Sequence, residues 1–266
     1  MAQFHVYAGV DATVVHPAIR KIGVSDLRAA LLDGYADFMA RPSHLIFLGL
    51  LYPVIGFLLA LWASGANIFA LIYPLMLGFA LLGPVAAVGL YEVSRRREAG
   101  SDSSLRHAFD VLRSPSLPAI LTLAVLLTVL FGAWLGTART LDKWLMGPAD
   151  HASYADFLTA VFTTSQGWAL IVVGNAIGLL FAALVLSLTV VSFPLLLDRD
   201  VGVVVAIETS LRAVAANPFV MAVWGLIVAI ALAVGFATLF VGLAVIVPVL
   251  GHATWHLYRR VVARAP

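Results

Sequence analysis

An all-α, polytopic membrane protein is the fold class this sequence predicts, and three observations predict it. Of 266 residues, 62% are apolar and 11% are charged, whereas soluble domains carry about a quarter charged residues. The apolar residues gather in charge-free runs long enough to cross a ~30 Å hydrocarbon core. The basic residues fall almost wholly on one side of those runs. This composition excludes a soluble globular enzyme, a coiled coil and a disordered chain. A formal net charge of +2 leaves no basic face for nucleic acid. With no cysteine, disulfides, thiolate metal sites and cysteine nucleophiles are excluded as well.

Taken in order, residues 1–23 read as an N-terminal cytoplasmic tail and 24–262 as one membrane domain. Residues 1–43 include Asp11, Arg20, Lys21, Asp26, Arg28, Asp33, Asp37 and Arg41. They lack the apolar core of a cleavable signal peptide, so the first span is expected to act as an uncleaved anchor. Charge-free runs then predict spans at Leu45–Ala63, Ile68–Tyr91, Leu117–Gly136 and Trp168–Phe193. After Pro218 an uncharged stretch runs from Phe219 to Tyr258. As one helix it is roughly 60 Å long at 1.5 Å per residue, about twice the ~30 Å core. It must fold back, and Gly235-Phe236-Ala237-Thr238 is the natural place. Six transmembrane helices result.

Basic residues orient them. All but Arg139 and Lys143 of the sixteen Lys and Arg lie in the N-terminal segment, in the loops after spans two and four, and in the tail. The positive-inside rule therefore places both termini in the cytoplasm. Trp62, Trp134 and Trp168 fall near the outer helix ends; Tyr91, Trp255 and Tyr258 fall near the inner ones.

The sequence also repeats. GFALLGPVAAVGLYEVSRR (78–96) aligns without a gap on GLAVIVPVLGHATWHLYRR (242–260), matching Gly78 to Gly242, Pro84 to Pro248 and Arg95-Arg96 to Arg259-Arg260. Three similar segments precede the hairpins, each ending at a proline: Arg41-Pro42, Ser114-Pro115 and Asn217-Pro218. Each carries apolar residues at helical spacing: Leu27, Leu31 and Phe38; Leu105, Phe109 and Leu112; Val204, Ile207, Leu211 and Val214. Proline stops such a helix by forcing its predecessor out of the α region. Three units are expected, at about 24–97, 101–199 and 200–260, each an amphipathic helix followed by a hairpin. Every unit starts on the same side, so the repeats are parallel and an inverted-repeat transporter is not supported. The amphipathic helices suit either the headgroup region or packing on the cytoplasmic face of the bundle.

Candidate chemistry is sparse. His252 and His256 stand four apart, on one face of the last helix, and are the candidate ligands for a haem or metal; helix anchoring is the plainer reading. Glu92 holds the repeat position that matches His256, so a Glu92–His256 pair is expected at the inner face. Asp198, Arg199 and Asp200 close the fourth span and complete a candidate inner-face polar cluster with them. No Asp, Glu, Lys or Arg sits mid-span, where ion pumps place them. Asn175, Ser187 and Thr189 are the main polar residues of span four, and Gly174 and Gly178 form a G-x-x-x-G. In the outer loop Thr137–Gly167, the residues Trp144, Pro148, His151, Tyr154 and Phe157 suit a small lid or docking surface. No G-x-S-x-G, H-E-x-x-H or Walker loop is present.

The segments LLGPVAAVGLYEVSRR, SFPLLLDRDV, NPFVMAVWG and LGHATWHLYRR resemble a bacterial family of multi-pass inner-membrane proteins. It is a domain-of-unknown-function family, some of whose members carry the label cytochrome c oxidase subunit I. The resemblance spans about residues 20–262 and implies an inner-membrane location. The oxidase label implies haem ligation, for which this chain offers two His on a single helix. The expected function is that of a non-enzymatic accessory or assembly factor, partnered by the bilayer and by a larger membrane complex or further copies of itself. A small-molecule or lipid transporter, and a haem- or metal-binding respiratory subunit, are the alternatives.

Overall fold

The computed structural model of the chain describes residues 17–43, 69–147, 153–238 and 240–264. Its helices run in the order α1 (Val24–Ala40), α2 (Phe69–Leu81), α3 (Gly83–Glu98), a 3-10 helix (Leu105–Arg113), α4 (Leu117–Met146), α5 (Tyr154–Thr163), α6 (Ser165–Thr189), α7 (Ser192–Asp198), α8 (Val203–Ala216), α9 (Pro218–Ala237) and α10 (Leu243–Val261). Among the described residues, β pairing is confined to a single antiparallel bridge between Ile19 and Val262.

Four helical stretches are long and apolar enough to cross a membrane: Ala70–Glu98, Leu117–Met146, Ser165–Asp198 and Pro218–Ala237. The expected first span, Leu45–Ala63, lies outside the described residues. The stretch expected as the sixth span is helical, as α10. Its second half, however, carries His252, His256, Arg259 and Arg260, so it lacks the sustained apolar length of the other four. The third span is longer than expected, because α4 continues through Arg139 and Lys143 to Met146.

The three segments before the hairpins all coil and all stop at their prolines. In α1 the Asp26 carboxylate reaches back to the Gly23 amide at 2.8 Å and caps the first turn. Gly202, at φ +76°, supplies the left-handed entry to α8, and Pro218 takes the first position of α9. The second segment winds as a 3-10 helix instead of an α-helix. Three residues per turn line up every third side chain, which changes the face it presents. The apolar stripe read from sequence packs in α1 but not in the other two segments. Leu27 and Phe38 are buried, but Phe109, Leu112, Val204 and Leu211 are exposed. Val111 of the 3-10 helix, and Val203, Val205, Ala206 and Ala213 of α8, are buried in their place. Neighbouring helices, not local hydrophobicity, select the buried side.

The described residues divide into two compact units. One is drawn from Met1–Leu51, Gly83–Val125 and Leu186–Pro266, the other from Tyr52–Leu82 and Leu126–Val185. In the second unit Trp134 is buried and donates its indole N–H to the carbonyl of Pro74, the proline inside α2, at 2.8 Å. A side chain at Gly78 would strike Phe131 and Trp134, and one at Gly178 would sit 3.1 Å from the Trp134 ring. Gly178 of the G-x-x-x-G thus makes room for an indole within the chain. Tyr73 donates to Asn175 Oδ1 at 2.7 Å, and Asn175 returns its amide to the carbonyl of Ile171. Beyond α4, Ser153 caps α5, whose Phe157 is buried, while Trp144 of α4 stays exposed.

The first unit holds α1, α3, the 3-10 helix, α7, α8, α9 and α10, with the beginning of α4 and the end of α6. Helix α1 packs along α10, the 3-10 helix along α3, and α8 along α7. Residues 18–22 are tied down as well. Arg20 donates its amide to Val261, and Asn217 receives the Ile22 amide at 2.9 Å while donating to the Arg20 carbonyl at 3.0 Å.

Candidate functional site

Small residues bring three helices of the first unit close enough for their polar groups to meet. A side chain on Gly34 of α1 would lie 2.4 Å from the backbone nitrogen of Ala253, and one on Gly251 of α10 would lie 2.7 Å from Leu90 of α3. Asp37, one turn beyond Gly34, is thereby carried into the interface with only 6% of its surface exposed. Its Oδ2 accepts hydrogen bonds from Ser94 Oγ at 2.5 Å and His256 Nε2 at 2.8 Å, and its Oδ1 accepts one from Arg97 at 2.8 Å.

Proton positions follow from this arrangement. An ionised carboxylate only accepts, so Ser94 gives its single proton to Asp37 and His256 carries its proton on Nε2. Ser94 then accepts from His252, whose Nδ1 lies 2.8 Å away. His252 is fully buried, and its Nε2 finds no hydrogen-bond partner among the described residues. The result is a directed chain, His252 to Ser94 to Asp37, closed by His256 and Arg97. Burial by itself pushes the Asp37 carboxyl up, but the hydrogen bonds from His256 and Ser94, with the adjacent imidazoles, outweigh it and hold the group below its ordinary value.

A second cluster lies at the ends of α3, the 3-10 helix and α7. Glu92, 2% exposed, is gripped by Arg95 through two 2.8 Å bonds and by Arg96 through a third. Arg96 continues to Asp110 at 2.8 Å. Asp198 accepts from Tyr258 at 2.6 Å and Arg259 at 3.2 Å, while Arg199 donates to the Ala263 carbonyl. These groups border a cavity of about 350 Å3 lined by Glu92, Asp110, Asp198, Arg199 and Asp200 among others. Glu98 fastens the chain end, accepting from Trp255, Arg259 and Arg264.

On the surface of the 3-10 helix, Asp102 is held well below the ordinary carboxylate range by the Ser104 amide, then by Arg106 and His107. Asp110 is lowered first by its hydrogen bond from His107, at 2.6 Å.

Of the five residues expected to cluster, Glu92, Asp198, Arg199 and Asp200 line this one cavity. His256 does not join them, and the expected Glu92–His256 pair does not form. Glu92 has two arginines three and four residues along its own helix, while His256 faces α1. His252 and His256 share one helix face, as their spacing predicts, but His256 Nε2 is engaged by Asp37 and His252 Nδ1 by Ser94. Among the described residues, no group of three or more His, Asp or Glu side chains stands in metal-holding geometry.

Sequence reasoning missed Asp37, Ser94 and Arg97. A signal for Asp37 existed, because it falls on the same stripe as Leu27, Ala30, Gly34 and Phe38; an acid on a packed helical face must have partners. Ser94 offered none, being one polar residue before a run of arginines.

The model of a family described as "Predicted integral membrane protein (DUF2189)" matches residues 72–198 of the chain. No curated protein and no solved structure matches it.

Proposed function

We propose that this protein is a non-enzymatic, multi-pass component of the bacterial inner membrane, with both termini in the cytoplasm, serving as an accessory or assembly factor for a larger membrane complex. The observation that carries this reading is the use to which its polar groups are put. The side chains with catalytic potential, Ser94, Asp37, His252 and His256, are bonded to one another across α1, α3 and α10, and the first three are buried. A nucleophile or general base needs access to a substrate; these groups instead join helices. The Glu92–Arg95–Arg96–Asp110 and Asp198–Tyr258–Arg259 sets do the same between other pairs of elements.

Three repeated units within six spans are part of the same proposal. Their support is that each leading helix packs on the closing helix of another unit: α1 on α10, the 3-10 helix on α3, α8 on α7. Small residues recur at two of these contacts. Gly34 meets Ala253, and Ala108 meets Gly89, where Ala253 and Gly89 are equivalent in the repeat alignment. Arg260 pairs with Asp33 and its counterpart Arg96 with Asp110.

The test is chemical crosslinking in native membranes at natural expression levels, followed by affinity purification. Recovery of a defined set of membrane subunits with the chain is expected. A chain always recovered alone, yet able to move a solute across vesicles on its own, overturns the accessory reading in favour of transport.

A further inference from the structure

The helices that lead into the hairpins bury one face in the first unit and leave a second apolar stripe uncovered. In α1 this stripe is Val24, Arg28, Leu32, Tyr35 and Met39, spaced four, four, three and four apart, all exposed. It lies opposite Leu27, Ala30, Gly34 and Asp37. In the 3-10 helix, Arg106, Phe109 and Leu112 eclipse one another at intervals of three, with Phe109 65% and Leu112 66% exposed. In α8 the exposed stripe is Val204, Glu208, Leu211 and Arg212. Each stripe thus combines large apolar side chains with one arginine.

We propose that these three stripes lie in the headgroup region of the bilayer, their apolar side chains at the acyl boundary and Arg28 and Arg212 on lipid phosphates, Arg106 being paired with Asp102 at 2.7 Å. Continuity with the spans argues for this occupant. The 3-10 helix ends at Arg113 and the membrane-length α4 begins at Leu117; α8 ends at Ala216 and α9 begins at Pro218. Helices tethered this closely to a span stay near the level at which that span enters the bilayer. They are too short and too charged to cross it, yet their free faces are too apolar for water, which is the composition of an interfacial helix. Charge argues the same way, because a guanidinium on a long stem reaches a phosphate while its methylenes stay among lipid tails. The proposal is independent of the accessory role.

The chain has no cysteine, so one introduced thiol carries one label. Leu32→Cys, Leu112→Cys and Leu211→Cys, each bearing an environment-sensitive fluorophore, are reconstituted in vesicles of phosphatidylethanolamine and phosphatidylglycerol. Ser101→Cys, at an exposed position of the connection before the 3-10 helix, is the aqueous reference. All four positions are on the surface, and an unchanged gel-filtration profile checks the fold. The three leucine sites are expected to emit at shorter wavelength than the reference, to be quenched by nitroxide-headgroup lipid, and to be shielded from iodide. Iodide quenching equal to that of the reference overturns the proposal. So does a blue shift that appears only in native membranes, which assigns the stripes to a protein partner.

Discussion

The two compact units keep their helices together by opposite means. In the first, helices are joined by charge-assisted bonds: Asp37 with Ser94, His256 and Arg97, Arg96 with Asp110, and Asp198 with Tyr258. In the second, they are joined mainly by shape, with Trp134 set against Gly78, Gly178 and Phe181, and by two uncharged hydrogen bonds, Trp134 to the Pro74 carbonyl and Tyr73 to Asn175. Close packing against small residues needs no partner charge, whereas directional charged pairs set which helix meets which.

The largest expected break in this comparison is Asp37→Ala. It strands Ser94, His256 and Arg97 around an empty buried site, and should cost about 3–5 kcal/mol; loss of monodisperse protein, or a large fall in the thermal unfolding midpoint in mild detergent, reads it. Next comes Gly34→Ala, whose new methyl meets the backbone of α10 and not a movable side chain. About 2 kcal/mol is expected from such overpacking, measured by the same midpoint. Gly178→Ala in the second unit should cost less than Gly34→Ala, because the Trp134 ring can shift by a few tenths of an ångström; an equal or greater loss would erase the contrast. Trp134→Phe removes one hydrogen bond and keeps most of the packing, for about 1 kcal/mol.

Acid separates the units in another way. Asp37 titrates below its ordinary 3.8 in the folded chain. As pH falls, the unfolded chain therefore takes up this proton first. The Asp37 contribution is complete above that ordinary value and disappears as pH drops through the lower folded one. The unfolding midpoint should fall below about pH 4, and Asp37→Asn should flatten that fall. An unchanged acid limb in the variant would show that Asp37 is not what the acid acts on.

Much of this was legible in the residues. The prolines at 42, 115 and 218 end the leading helices where the pattern requires, and the reversal near Thr238 is where the uncharged stretch must turn. What was not legible was pairing. His256 and Glu92 hold equivalent positions in the repeat, yet each binds the nearest opposite charge, and for His256 that charge comes from α1, far away in the sequence.

The sequence by itself determined the membrane class of the protein and where prolines stop the leading helices. These depend on transfer free energy and backbone sterics, which act residue by residue. The tertiary structure alone decided which stripe of the second and third leading helices is buried, that the second winds as a 3-10 helix, and that Asp37, not Glu92, receives His256. Those outcomes depend on which helix approaches which, and at what distance, and Gly34 and Gly251 set that distance only once the helices have met.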